Sequence, residues 1–376
     1  MELKLNSIEL KGFKSIDNDG QTIPINDRVT VMIGANGSGK SNIVSFFQML
    51  RESMIGNLRE FVVKKGYANT FLFRGSKNTD KITAILTGSA NGNALQYSFD
   101  LIGDPTDNLA LGRETLSALT PGKADERIIA EALFGKIPLL AIMEEGVDSE
   151  PAQLFSALLW KTRCYQFHDT TGTALIRKAC YINDNRELRG DGGNLSSFLY
   201  GIKKREGGEK YYNRILLYIQ QVMPQLDDFI LEPREENDKY VTLDWKEKGA
   251  DNIYGVHQLS DGTLRFIALA ALLMQPPETL PSVIVIDEPE LGLHPRAITV
   301  LASMIRQASH YAQVIVATQS PQLLDEFDED NIVVVERDRW KHSTTVKKLD
   351  KNRLKAWLKR YTLSELWDKN VLGGRP

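Results

Sequence analysis

Apolar positions along the chain fall into two rhythms. Short, continuous apolar runs at Val29–Ile33, Val283–Ile286, Val314–Ala317 and Ile332–Val335 predict strands buried on both faces. Stretches with apolar residues every three to four positions predict helices over Asn42–Met54, Tyr212–Val222, Asp261–Leu273 and Pro295–Ala308. Pro295 suits the first turn of its helix. Leu3, Leu5, Ile8 and Leu10 follow an extended pattern, as do Phe229–Leu231 and Tyr240–Trp245. Ile82–Leu86 and Leu95–Ile102 read as two strands joined by the turn Ala90-Asn91-Gly92-Asn93. The middle, from about Glu114 to Gln225, reads as mostly helical and includes helical spacing at Ile128–Phe134. The expected fold is α/β. It has a mainly parallel sheet, an N-terminal antiparallel β subdomain and a mostly helical insertion. The expected division is 1–103, 104–225 and 226–376. No heptad pattern runs long enough for a coiled-coil arm.

Composition narrows this picture only slightly. At 376 residues, 42% hydrophobic and 25% charged, the chain is an ordinary globular one. No apolar run reaches membrane-spanning length, and charged and apolar residues alternate at the N-terminus, so no signal peptide is expected. Two cysteines, Cys164 and Cys180, are too few for a disulfide framework or a zinc site. The expectation is a cytoplasmic protein. The net charge of −3 does not announce a nucleic-acid binder, but cations gather from Arg337 to Arg360 behind the acidic Asp325–Asp330. That run reads either as a solvated helix and hairpin or as a surface for nucleic acid or an acidic partner. Trp340, Trp357 and Trp367 lie among these cations. They read either as packing for a terminal helix or as stacking partners for bases.

The chemistry is concentrated in Gly34-Ala35-Asn36-Gly37-Ser38-Gly39-Lys40-Ser41, a GxxxxGK[ST] pattern between a strand and a helix. Glycines let backbone N–H groups turn inward around a polyphosphate, and the helix N-terminus adds positive potential. Asn36, Gly37, Ser38, Gly39, Lys40, Ser41 and Asn42 are the expected nucleotide contacts. Lys40 would reach the β- and γ-phosphates, and Ser41 would offer its hydroxyl to Mg²⁺. Far downstream, Val283–Ile286 ends in Asp287-Glu288-Pro289, an apolar strand closing on two acids. Asp287 is the expected Mg²⁺ holder and Glu288 the general base. Leu259-Ser260-Asp261-Gly262-Thr263-Leu264-Arg265 precedes it and reads as a second anion-binding helix start.

In this order, the P-loop, the LS-x-G turn and the I-D-E-P strand end resemble the ABC-type P-loop NTPase heads. Gly12-Phe13-Lys14-Ser15 resembles the opening of the SMC and RecF-like branch. Asp287 to Pro295 is similar to the overcoming-lysogenisation-defect (OLD) and RecF-like predicted ATPases. Tyr165–Thr170, Gly190–Leu195 and the closing Tyr361–Trp367 with Gly373-Gly374 carry weaker likeness to the same group. The resemblance implies ATP as substrate, Lys14 as a further nucleotide contact, and a homodimer of heads. In such a dimer Ser260, Asp261, Gly262 and Arg265 of one subunit would close over the γ-phosphate held by the other. Departures follow too. Gln319 stands where ABC enzymes usually carry a histidine, and it can donate but not carry positive charge. His294 stands where many have a dimer-contacting aspartate. The Q-loop glutamine has no clear counterpart, although Phe73-Arg74-Gly75-Ser76 lies about where it belongs. Catalysis is therefore assigned to Glu288, Lys40 and Gln319, with slow or partner-activated turnover.

The remaining candidates carry less. His168-Asp169 reads as a structural pair or a functional one, and His257, just before Ser260, reads as a residue lining the site or as a bystander. The five histidines show no metal-ligand spacing. Nothing after the ATPase strands resembles the acidic triad of a TOPRIM nuclease, which OLD proteins carry in the same chain. The family resemblance thus implies a dimeric ATPase switch in anti-phage defence or DNA metabolism, gating a separately encoded effector, with no membrane partner. A RecF-like ATPase that binds DNA directly is the alternative. A non-catalytic scaffold assembled by ATP is the alternative of another class.

Overall fold

The computed structural model describes residues 3–90, 92–119, 126–133, 150–233 and 237–374. The chain divides into two compact units, one of Met1–Arg163 with Asp328–Pro376 and one of Cys164–Phe327. Each is a mixed α/β structure.

In the first unit, six strands form an antiparallel sheet. Its spatial order is Gln21–Pro24, Lys4–Lys11, Lys81–Ala90, Asn93–Gly103, Leu109–Leu119 and Glu126–Leu133. Alternation decides which face is inside. Along Lys81–Ala90, buried and partly exposed positions strictly alternate, so Ile82, Ala84 and Leu86 point inward. Ala90 pairs with Asn93 as the predicted turn requires; Asn91 itself lies outside the described residues. The helix Lys40–Met54 buries Ile43, Phe46, Phe47 and Leu50. Phe46 meets Phe13 edge-on at 5.7 Å and stacks on Phe99 at 6.4 Å, so this helix is seated on the sheet by aromatic packing. The strand Val29–Ile33 is buried throughout. It runs parallel to Ile332–Arg337, with Val31 opposite Ile332 and Ile33 opposite Val334. Thr344–Lys348 completes a hairpin with Ile332–Arg337.

The expectation of helix from the start of the middle segment is corrected here. Leu109–Leu119 and Glu126–Leu133 are strands, and the predicted helical spacing at Ile128–Phe134 falls on the second of them, with Phe134 outside the described residues. Among the described residues of this segment, the α-helices are Glu150–Trp160, Leu195–Lys204 and Glu209–Gln220. The reason is visible at Glu114. It sits fully buried in its strand and accepts a hydrogen bond from the Tyr97 hydroxyl at 2.8 Å. A charged residue at an inward position, with pairing irregularities at Phe99/Leu101 and Leu116/Ser117, erases the two-residue rhythm.

In the second unit, Val283–Asp287 and Gln313–Thr318 are parallel neighbours, fully buried, with Asp287 opposite Ala317. The helices Asp261–Met274 and Pro295–Ala308 pack on each other. The strands Leu226–Ile230, Asp244–Glu247 and Ile253–Tyr254 form a small antiparallel sheet. Among the described residues, no helix is long and apolar enough to cross a membrane.

Candidate nucleotide site

The first unit holds the glycine-rich loop. The strand Val29–Ile33 stops at Gly34, and the helix starts at Lys40 with Gly39 as N-cap in the left-handed region. Gly39 is needed twice over. Its φ is 112°, and a Cβ there would lie 2.0 Å from Thr344 Oγ1. Lys40 is buried, and its ammonium donates to the carbonyls of Gly34 (2.6 Å) and Ala35 (3.1 Å). Asn36 and Gly37 form the exposed tip, and Ser41 is exposed at the first helical turn. The Ser38 hydroxyl is buried without a hydrogen-bond partner among the described residues. One relay fixes the loop's underside. Asn42 donates to Ser15 Oγ (2.7 Å), Ser15 meets Thr344 Oγ1 (2.7 Å), and Thr344 donates to the Ser38 carbonyl (2.8 Å).

Beside this loop opens a cavity of about 520 Å³, lined among others by Lys14, Asn42, Lys65, Arg74, Arg337 and His342. Lys14 has φ 49°, donates to Ser45 Oγ at 2.7 Å, and lies 5.1 Å from the Phe71 ring centre. Burial, reinforced by Lys65, lowers its pKa to about 8. Phe73, Arg74 and Gly75 line the same cavity, and Arg74 donates to the Lys341 carbonyl at 2.7 Å.

The second unit holds the acidic strand end. Asp287 closes a buried strand and is itself buried; Gln166 donates to its Oδ2 at 2.8 Å, and His168 Nε2 lies 3.1 Å from its carbonyl. His168 thus touches the strand end, whereas Asp169 turns back to bind Thr171. Glu288 follows at φ 45°, a left-handed conformation that non-glycine residues rarely adopt, with its N–H bonded to the Ala317 carbonyl at 2.8 Å. Glu290 accepts from Thr318 Oγ1 (2.5 Å) and from the Gln319 N–H (3.3 Å). Its other oxygen is shielded, with no partner among the described residues. Burial, with Glu288 nearby, raises the Glu290 pKa above the ordinary carboxylate value.

The turn before the helix Asp261–Met274 packs on the loop that follows Glu288. A Cβ on Gly262 would lie 2.2 Å from the Gly292 carbonyl. Arg265 donates to the carbonyls of Phe167 (2.9 Å), His168 (2.8 Å) and Leu291 (3.1 Å). Ser260 caps the helix through Thr263 N–H, and Ser260 and Asp261 face solvent. Buried Arg177 holds the turn from behind, donating to the carbonyls of Val256 and Leu259 and to Asp261. Arg177 beside Asp261 keeps that carboxyl below the usual range. His257 is exposed, and His294 caps the helix Pro295–Ala308 through Arg296 N–H.

The structure therefore gathers Lys14 and Asn36–Asn42 around one loop in one unit. In the other it gathers Ser260–Arg265 with Asp287, Glu288 and, through Glu290, Gln319. Four contributors went unread in the sequence: Gln166, Arg177, Glu290 and Thr344. Gln166 and Glu290 lie in segments that resemble the ATPase family without a motif role of their own; Arg177 and Thr344 carry no local signal.

The residues fit a magnesium nucleotide. A buried ammonium, an unpartnered buried hydroxyl and a helix N-terminus make a polyphosphate cradle. No group of three metal-ligating side chains occurs among the described residues. Mg²⁺ is bound by one or two protein ligands together with substrate phosphates, and buried Asp287 and exposed Ser41 are oxygen donors of that kind.

Two family models match the chain. One, an AAA domain described as a putative AbiEii toxin of a type IV toxin–antitoxin system, covers residues 184–325; the other, an AAA domain, covers residues 7–108. The chromosome partition protein Smc of Pyrococcus furiosus is 38% identical over 74 residues, which is 20% of this chain and 6% of that protein. Among solved structures, an Smc head bound to the C-winged helix domain of ScpA superposes with a TM-score of 0.62 at 18% identity, covering 94% of this chain and 99% of that one. The Pyrococcus furiosus Smc head with an extended coiled coil, bound to the C-terminal domain of ScpA, gives 0.61 at 16% identity, with 95% and 99% covered. The Pyrococcus yayanosii Smc head with a coiled coil and joint gives 0.58 at 13% identity, again with 95% and 99% covered. At these identities the likeness is one of fold.

Proposed function

From the premise that this chain is an ABC-type ATPase of the SMC/RecF-like branch, we propose that it is a cytoplasmic, dimer-forming ATP switch. Its nucleotide state would gate a separately encoded partner in anti-phage defence or DNA metabolism. The observation that carries the chemistry is Glu288, held at φ 45° directly after buried Asp287. A left-handed backbone at a non-glycine residue costs about 1–3 kcal/mol and such residues cluster at functional sites, which supports a working role for this acid. Lys40 and the loop N–H groups would bind the β- and γ-phosphates. Asp287 and Ser41 would hold Mg²⁺, which neutralises charge developing on the phosphate oxygens when bound. Glu288 would take a proton from water as the water oxygen bonds to the γ-phosphorus; the bond to the β-bridging oxygen breaks and ADP leaves with its electron pair. Ser260, Asp261, Gly262 and Arg265 of a second copy would close over the γ-phosphate. Gln319 would donate to it without adding charge, which favours slow or partner-activated turnover.

The ScpA-bound state of the similar Smc heads supports the partner part, and the toxin–antitoxin description of one family model fits a protein that works as one of a pair. The test is phosphate release with Glu288→Gln in parallel. The variant is expected to bind MgATP, lose turnover and accumulate as a nucleotide-dependent dimer by light scattering. Wild-type turnover by Glu288→Gln would remove the base assignment. Assembly without turnover by the wild type, alone or with partners, would favour the scaffold alternative.

The second reading, a RecF-like ATPase that contacts DNA, has one specific support. Trp340 is 91% exposed at a hairpin tip flanked by exposed Arg337, Arg339, Lys341 and His342. Salt-sensitive DNA binding that falls on Trp340→Ala would favour it.

A further inference from the structure

The closing motif Tyr361–Trp367 with Gly373-Gly374 has no role in the chemistry above, yet it ends on the phosphate loop. The helix Leu363–Asp368 is fixed by a capping box between Thr362 and Glu365 and by buried Leu366 and Trp367. The chain then turns back through Val371, whose N–H bonds to the Leu366 carbonyl at 2.9 Å, into Gly373 and Gly374 at φ 83° and 76°. The Gly374 carbonyl accepts the Ala35 N–H at 2.7 Å, and its own N–H donates to Glu336 Oε2 at 3.0 Å. Glu336 is anchored in turn by Lys347. Burial works against its charge, but Lys347 and the Gly374 N–H outweigh burial and hold its pKa below the ordinary value.

The Ala35 N–H and the Gly34 carbonyl belong to one peptide unit. Its N–H is taken by Gly374, and its carbonyl accepts the Lys40 ammonium at 2.6 Å. A peptide unit is planar, so fixing one end fixes the other, and bonds at both ends polarise each other. The approach is tight, and the left-handed backbone at Gly374 strains any other residue. A Cβ on Gly374 would lie 2.9 Å from Val334 Cγ1 and 3.5 Å from the Gly34 Cα.

We propose that Gly374, anchored by Glu336, is a positioning residue for nucleotide binding: it sets the Gly34–Ala35 peptide that holds Lys40 in place for the triphosphate. The inference rests on the ATP reading of the same loop. Loss of the strap lets the peptide rotate and Lys40 wander, which weakens MgATP binding and leaves the chemical step intact.

The experiment measures KM, kcat and thermal midpoint for the wild type, Gly374→Ala, Glu336→Ala, Glu336→Gln and Lys40→Ala, with direct binding of a fluorescent ATP analogue. Gly374→Ala and Glu336→Ala are expected to raise KM and Kd about five- to tenfold, the loss of one well-placed hydrogen bond, with kcat nearly kept. Glu336→Gln still accepts the Gly374 N–H and is expected within about twofold of wild type. Hydrogen exchange should show the Ala35 amide protected in the wild type and exposed in Gly374→Ala without nucleotide. A lower thermal midpoint with unchanged KM, or an equally protected Ala35 amide in Gly374→Ala, overturns the proposal. A wild type that binds MgATP no better than Lys40→Ala sinks the ATP reading, and this inference with it; binding by the wild type and equally by Gly374→Ala sinks the strap alone.

Discussion

Gln166 donates its side-chain amide to Asp287 Oδ2 at 2.8 Å, so the carboxylate at the end of the buried strand Val283–Asp287 is aimed by a residue from outside it. An outer partner of this kind sets the orientation of a metal-binding carboxylate. Gln166→Ala is expected to weaken apparent Mg²⁺ affinity at least about tenfold in turnover titrations. ATP binding measured in EDTA should stay near wild type. Equal Mg²⁺ dependence in the two proteins would remove this role.

Glu290 links the acidic strand end to Gln319. Its pKa is raised in the fold, chiefly by burial, so the folded state holds its proton above the ordinary carboxylate value of 4.5. The sign follows from linkage. The stabilisation by the neutral acid is complete below about pH 4.5 and is lost as pH rises through the raised folded value. Glu290→Gln keeps an acceptor for Thr318 and cannot ionise. The gap between its denaturant midpoint and that of the wild type should therefore widen as pH rises and close as pH falls toward 4.5. Parallel pH profiles would show that Glu290 does not titrate with folding.

Lys14 gives the opposite case of a buried amine, with a pKa lowered to about 8 by burial and then by Lys65. Folded Lys14 loses its proton before unfolded lysine does, so stability rises between about pH 8 and 10.5. If its ammonium contacts the nucleotide, ATP affinity falls as pH passes 8. Lys14→Arg, always charged, should flatten that fall. Calorimetric titrations from pH 6.5 to 9.5 check it, and identical slopes would take Lys14 out of the nucleotide site.

Arg177 is buried behind the Ser260 turn and supports two carbonyls and Asp261. A lysine there offers one point charge in place of a fork of donors. Arg177→Lys is expected to cut nucleotide-dependent self-association of the Glu288→Gln protein by about fivefold or more, read by sedimentation. MgATP binding by single molecules should persist. Undiminished assembly would mean that the turn holds its shape unaided.

The strands buried on both faces were legible because β-branched runs such as Val283–Ile286 have few other uses. Leu109–Leu119 was not, because Glu114 faces inward and the pairing slips twice. The loop around Lys40 and the acids at Asp287 were legible as contiguous motifs whose glycines, lysine and carboxylates have a mechanical reason. Their supports were not. Gln166 lies 121 residues from Asp287, and Thr344 lies 306 from Ser38. An amide or a hydroxyl at such a distance carries no local pattern, since its meaning comes from the folded neighbour alone. Gly373-Gly374 was visible as a motif, but nothing in its spacing pointed to Ala35.

The parallel neighbour of Val29–Ile33 consists of residues made roughly 300 positions later, and Thr344 and Gly374 are later still. At about 5–20 residues per second, a ribosome would take about 15–60 s to supply them. Throughout that interval the nascent N-terminal segment carries a naked strand edge and an unbraced glycine turn. On the nucleotide reading of the loop, its bracing arrives only with the stretch from Ile332 to Gly374, and until that stretch emerges the early segment presents an unpaired strand edge.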